Sequence, residues 1–484
     1  MLAIMPHLVT DLNRDPTSSG PSGFTDVDGI VFFTAETLTT GRELWKSDGT
    51  EAGTVRVKDI NPGNGHSYPR CLTNVNGTLY FSADDGTSGY ELWKSDGTEA
   101  GTVRVKDILP GSEPSYSYGF RAPGYLTNVN GTLYFMASDE ANGRALWRSD
   151  GTEAGTVRIK DIFTTTLTNV NGTLYFRVGA GLWKSDGTEA GTVQVKHIDL
   201  ENLGPYRAGP ITNANGTLYF VAYDGARGRE LWKSDGTEDG TVPVKDIWPG
   251  PGSSGLHSLT NVNGTLYFGA DDATSGSELW KSDGMEAGTV RVKDIWPGTD
   301  GSRPISLTNV NGTLYFQAND GVTGEELWTS DGTEAGTRLV MDLVQGAGSS
   351  DPGSFTEANG KLYFTATDEL HGRELWVADL SPANDDRNQD GNIDVRDLDA
   401  LCAALLGGTA TRDEIEGFWS RQNTGPGDAN FDHVFDSSDL VAVFQRGEYE
   451  TDSPATWSDG DWNCDGVFGS ADLVAAFQRG WYEA

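Results

Sequence analysis

The chain is 484 residues long, with 71 acidic residues against 35 basic ones and a formal net charge of -36. A balance of that sign argues against binding phosphate backbones or docking on an anionic bilayer, and it favours solubility and divalent cations. The 63 Gly residues follow no collagen period and aromatics make up 10%, so the chain is neither fibrous nor disordered.

No apolar run approaches the roughly 18 residues of a membrane span, so no membrane insertion is expected. The opening Met1-Leu-Ala-Ile-Met-Pro6 is too short for a signal peptide. Cys71, Cys402 and Cys464 are too few and too scattered to suggest a disulfide framework or a zinc site.

The first predicted element is a strand over 7–12, His-Leu-Val-Thr-Asp-Leu, which stands alone. After it a single unit recurs. Its Leu-Trp marker places Trp at 45, 93, 147, 183, 232, 280, 328 and 376. A Leu-Tyr-Phe-type marker ends at Phe33, Phe81, Phe135, Phe176, Phe220, Phe268, Phe316 and Phe364. Periods of about 40–50 residues, filled with β-formers between Gly turns, point to propeller blades.

One unit reads as four strands: 72–75, an Asn76-Gly77 turn, 78–83, a variable loop, 91–95, an Asp96-Gly97 turn, and 102–108. Asn-Gly and Asp-Gly suit tight hairpins, whose central residues need positive φ. The last unit ends at Leu375-Trp376-Val377-Ala378-Asp379 with no fourth strand after it. Segment 7–12 aligns with the fourth strand 338–343. The reading is therefore an eight-bladed β-propeller over residues 1–380, closed by its own N-terminal strand.

Seven units carry Leu-Trp-x-Ser-Asp-Gly, and residues 1–380 resemble the bacterial ELWxxDGT repeat proteins. That resemblance implies a repeat architecture and no particular activity. The blade Trp residues read as inter-blade core, and Asp59, Asp107, Asp161, Asp246, Asp294 and Asp342 read as structural hydrogen-bonding groups. Six Asn-Gly-Thr sequons, at Asn76, Asn130, Asn171, Asn215, Asn263 and Asn311, fall on predicted turns, which explains them without glycosylation. Strand alternation puts the near-invariant turns on one face and the variable connections on the other. The long connection after blade 2 holds Tyr116, Tyr118, Phe120 and Arg121, a candidate surface for a glycan or a protein.

Residues 381–484 lack the repeat and Lys, and hold 21 acids against 6 Arg, net -15. Three segments space oxygen ligands as calcium loops do. The first has Asp386, Asn388, Asp390, Asn392, Asp394 and Asp397. The second has Asp428, Asn430, Asp432, the carbonyl of Val434, Asp436 and Asp439. The third has Asp461, Asn463, Asp465, the carbonyl of Val467, and Asp472. Gly391 and Gly466 permit the turn at the sixth position, where loop two has His433. Each loop leads into an amphipathic helix, through Leu398-Leu401-Leu405, Leu440-Val441-Phe444 and Leu473-Val474-Phe477.

These loops resemble those of dockerin domains, which also end in Asp. Three loops where dockerins have two, and wide spacing between them, depart from that pattern. The paired segments 439–450 and 472–483 look like C-terminal modules of planctomycete surface or secreted proteins. The resemblance implies a calcium-folded domain, here 381–484, that docks to a cohesin-like or surface receptor.

No catalytic set emerges from six scattered His and no nucleophile motif. The reading is an extracellular or cell-surface, non-catalytic binding or adhesion protein. A dockerin-borne carbohydrate-active enzyme (hydrolase or lyase) and a purely structural scaffold are the alternatives.

Overall fold

The structure is a computed structural model. It describes residues 6–13, 18–111, 122–140, 143–164, 166–179, 181–198, 211–368, 370–380, 395–407, 415, 437–446, 449, 455–465 and 467–478. His7–Val377 form one compact unit, and Ala378–Ala484 belong to a second.

The first unit is an eight-bladed propeller. Each blade is a four-stranded antiparallel sheet, and seven blades are continuous in sequence. Blade 1 comprises Ser22–Val27, Ile30–Thr37, Gly41–Ser47 and Val55–Lys58. Blades 2 to 7 follow in order, beginning at Arg70, Gly124, Leu167, Ile211, His257 and Ile305. Blade 8 has Gly353–Ala358, Lys361–Asp368 and Gly372–Asp379. Its outer strand is His7–Thr10, with His7 opposite Val377 and Leu8 opposite Trp376. The N-terminal strand thus closes the ring, as the orphan segment predicts.

The Asn-Gly turns are as predicted, but the Asp-Gly ones are corrected: Asp96 does not have positive φ, and a longer loop, not a two-residue hairpin, runs from Ser95 to Val103. Asn76, Asn130, Asn171, Asn215, Asn263, Asn311 and Asn359, with Asp28 in blade 1, all have φ between +49° and +53°, each followed by a Gly of positive φ. Only residues tolerant of that conformation close a two-residue hairpin without splaying the strands.

Side chains alternate across each strand and fill the seams between blades. In the first seam Phe32 and Leu44 of blade 1 pack with Leu79, Phe81 and Trp93 of blade 2. Trp93, Trp147, Trp232, Trp280, Trp328 and Trp376 are buried, as expected of core residues, while Trp45 and Trp183 are half-buried.

The second unit has helices α1 (Val395–Leu406), α2 (Ser437–Arg446) and α3 (Ser470–Gln478), with a 3-10 turn at Trp457–Asp459. Leu398, Leu401, Val443, Trp457, Trp462 and Phe468 share one small core. The predicted amphipathic faces are partly corrected. Val443 is the fully buried residue of α2, whereas Val441 and Phe444 lie about half exposed, as does Val474 of α3. The cysteine reading is corrected outright: Cys402 and Cys464 form a buried disulfide across a separation of 62 residues. Chain folding, not sequence proximity, brings them together. Cys71 remains a free, exposed thiol.

Candidate functional site

Several of the repeated polar residues of the ring join one blade to the next. In the Leu-Thr-Asn segment the Thr hydroxyl donates forward to a carbonyl of the next blade. Thr25 reaches Leu72 O (3.2 Å), Thr212 reaches Leu259 O (2.8 Å), and Thr356 reaches Phe24 O (3.2 Å) across the closure. The following Asn reaches backward, as Asn74 Nδ2 does to Asp26 O (2.9 Å), and its Oδ1 accepts the N–H of Gly77 in the turn. In Leu-Trp-Lys, Lys46 Nζ donates to Gly97 O of the next blade (3.0 Å), and Lys94 to Gly151 O (2.9 Å). The Lys of the fourth strand does the same, Lys245 bonding Thr289 O (2.8 Å) and Lys293 Thr337 O (2.7 Å).

The Ser-Asp-Gly-Thr loop is a self-contained cassette. Ser47 Oγ pairs with Thr54 Oγ1 (2.7 Å), and Asp48 Oδ1 accepts both the N–H and the hydroxyl of Thr50. A Cβ at Gly53 would lie 2.0 Å from that Asp carboxylate, so any side chain there would displace Asp48 from its bonds to Thr50. The hydrogen bonds hold Asp48 below its usual carboxylate pKa, with the Thr50 hydroxyl the main cause. The Asp of the fourth strand pairs locally, Arg158–Asp161 at 2.8 Å and Arg56–Asp59 at 3.3 Å.

Sequence reasoning missed the role of the Glu in Glu-Leu-Trp. Glu43 is fully buried and accepts Ile60 N (3.0 Å), Ser67 N (3.1 Å) and Ser67 Oγ (2.6 Å). The clasp recurs 24 residues apart in Glu230–Ser254, Glu278–Ser302 and Glu326–Ser350. At the closure Ser19 donates to Glu374. The constant spacing was the available signal. Burial pushes Glu43, Glu91 and Glu230 up to about 7, against the hydrogen bonds that favour the ionised form.

In the tail, three carboxylates of the third acidic segment come together. Oxygens of Asp461, Asp465 and Asp472 lie within 4.8 Å of one another, the one such cluster among the described residues. Asp461 and Asp472 are buried and Asp465 is exposed. The loop's own amides aim at the carboxylates: Asn463 N and Gly469 N donate to Asp472 (both 2.9 Å), and Asp465 N to Asp461 (2.9 Å). Burial chiefly raises the Asp472 pKa, and the Asp465 charge adds to the rise. Phe468, the eighth loop residue, is buried as expected. Cys464 occupies the fourth position of the same loop, so the disulfide ties it to α1. Trp457 N also donates to Asp399 of α1 (2.7 Å).

Asp397 is buried in the first turn of α1. Asp386, Asn388, Asp390, Asn392, Asp394, Asp428, Asn430, Asp432, Val434 and Asp436 lie outside the described residues, as does the side chain of Asp439. So do the candidate ligand residues Tyr116, Tyr118, Phe120 and Arg121.

Residues 211–404 match a family described as outer membrane protein assembly factor BamB. No curated protein matches the chain significantly. Among solved structures, a prolyl endopeptidase is similar at 12% identity and TM-score 0.45 over 74% of this chain. The chain spans 56% of that protein's length. A puromycin hydrolase is similar at 14% identity and TM-score 0.44, over 96% of this chain and 84% of the hydrolase. The β-propeller domain of the trilobed protease from Pyrococcus furiosus is similar at 12% identity and TM-score 0.40, over 64% of this chain and 95% of that domain. The propeller fold and the family match identify a propeller repeat protein. No described helix is long and apolar enough to cross a membrane.

Proposed function

We propose that this chain is an exported, non-catalytic binding protein of the ELWxxDGT type. Its ring holds a saccharide on the face of the variable connections, and its calcium-folded, dockerin-like tail tethers it to a receptor. The observation that carries the reading is the division of labour in the ring. The repeated side chains bond blade to blade or brace their own blade, which leaves the variable connections of the opposite face as the surface where blades differ. A rigid scaffold with variable loops is a common basis for recognition.

Two features of the tail support the rest. A buried disulfide suits an oxidising compartment outside the cytoplasm. The donor set of loop three fits calcium: hard oxygens within 4.8 Å suit an ion whose ligands stand at roughly 2.3–2.6 Å on opposite sides. Asp461, Asn463, Asp465, Asp472 and the Val467 carbonyl would hold it, and the ion would neutralise carboxylates that otherwise repel. A glycan array probed with the full chain, with and without chelator, tests both parts. Absence of any glycan signal, or turnover of a bound saccharide, would overturn the binding reading. Calorimetry showing no heat on calcium addition would overturn the tail reading.

A second reading is favoured by the match over 211–404 to an outer membrane assembly factor: an envelope scaffold whose loop face holds another protein. Capture of a protein partner by a chain that binds no glycan would favour it.

A further inference from the structure

The disulfide of the tail enters the third acidic segment near its middle. Cys464 stands between Asn463 and Asp465, and its sulfur is bonded to Cys402 of α1. On one side Asn463 N donates to Asp472, and on the other Asp465 N donates to Asp461, both at 2.9 Å. The cross-linked residue is thus flanked by two of the bonds that orient the carboxylates. Cys464 also has φ +56°. That left-handed conformation is unfavourable for a residue with a side chain, because Cβ crowds the following carbonyl. A segment without the cross-link has reason to leave it. Turning Cys464 out of it would swing Asn463 and Asp465, and the oxygens of Asp461, Asp465 and Asp472 would no longer lie within 4.8 Å of one another.

The disulfide resists that turn. Both cysteines are buried, and α1 is anchored through Leu398 and Leu401 in the core that also holds Trp462 and Phe468. The bond from Trp457 N to Asp399 tethers only the stretch before the segment. Two constraints therefore act on one piece of backbone: the cross-link, and an ion held by its carboxylates. Constraints that favour the same conformation are coupled, and the coupling is reciprocal. Whatever factor the disulfide adds to ion affinity, the ion adds to the resistance of the disulfide to reduction. Burial acts in the same direction. Thiol–disulfide exchange needs an attacking thiolate to reach a sulfur, and these sulfurs are reached only when the tail opens.

We propose that Cys402–Cys464 is a redox gate on calcium binding by the third segment, which holds the ion tightly when oxidised and weakly when reduced. The reductant is a dithiol. It supplies two electrons and two protons, the S–S bond breaks, Cys402 and Cys464 become thiols, and the dithiol closes into its own disulfide. The proposal rests on the calcium reading of the tail given above, and the test separates the two.

The test uses the full chain, as wild type and as Asp465→Ala, which removes the exposed carboxylate of the segment. Calcium titration of the oxidised forms by calorimetry should show a site in wild type that Asp465→Ala lacks. Both forms are then equilibrated in mixtures of reduced and oxidised dithiothreitol, with saturating calcium or with chelator, and alkylated. The mass shift counts thiols, and the exposed Cys71 is labelled in every state as an internal reference. In wild type, calcium should raise the ratio of reduced to oxidised dithiol needed for half reduction at least about tenfold, and Asp465→Ala should abolish that shift. The reduced chain in calcium should keep a tail transition by scanning calorimetry, with the affinity of the site lowered by the same factor. If Asp465→Ala loses no site, the calcium reading of the segment falls and the gate with it. A site that is present, with equal half-reduction ratios in calcium and chelator, overturns the gate and leaves the calcium reading standing. A shift that persists in Asp465→Ala puts the responsible ion elsewhere and overturns the gate. A reduced chain with no tail transition even in saturating calcium marks the disulfide as a staple of the whole domain, and that also overturns it.

Discussion

Around the ring, neighbouring blades are joined by the same bonds again and again: a forward Thr, a backward Asn, and lysines reaching the next turn. The tail gathers Trp457, Trp462, Phe468 and a few aliphatic residues into one core and ties α1 to loop three by one disulfide. The ring spreads its stability over many equivalent joints, as repeat folds do. The tail concentrates it in few places, since a domain of about 100 residues with short helices buries little apolar surface. Damage at one point should therefore be mild in the ring and severe in the tail.

Reduction of Cys402–Cys464, or Cys402→Ala with Cys464→Ala, should have the largest effect. Cross-linking over a loop of this length stabilises by about 4 kcal/mol. Scanning calorimetry of the full chain should show the tail transition moving far down while the ring transition stays in place. Movement of both would break the comparison. Deleting residues 1–13 comes next. It removes buried Val9 and the outer strand of blade 8, and should cost the ring about 3 kcal/mol. An unchanged ring melting curve would mean that the circle closes without that strand.

A smaller effect should follow pH. Glu43, Glu91 and Glu230 titrate near 7 in the fold against an ordinary value of 4.5. Between those values the folded ring binds more protons than the unfolded chain, so its stability falls as pH rises from about 4.5 through about 7. Ring melting temperatures across that range should decline, and Glu43→Gln should flatten the slope. A rise with pH would show that the clasps favour the ionised form. Smallest of all, Thr127→Val removes one joint of the ring, its bond to Leu167 O at 3.3 Å, and should cost about 1 kcal/mol. A loss several times larger would show that the joints do not share load.

The ring was legible because its repeat exposes local chemistry: Asn76-Gly77 can only be a turn, and strand 7–12 has a homologous place to go. The glutamate clasps were hidden, since Glu43 meets Ser67 only after the connection folds back. The disulfide was hidden more deeply, with its two Cys 62 residues apart and nothing local to join them. The structure brings the spaced carboxylates Asp461, Asp465 and Asp472 of the third segment together.

The closure of blade 8 also sets an order of events. His7 pairs with Val377, so this strand is made before the rest of the ring and is the last of it to find its place. Until the third strand of blade 8 emerges, seven finished blades form an open arc with a bare edge at its growing end. The entropic cost of bringing ends together grows only slowly with separation, so the delay is set by synthesis rather than by the search. In the meantime the strand at 7–10 has to be kept from pairing elsewhere.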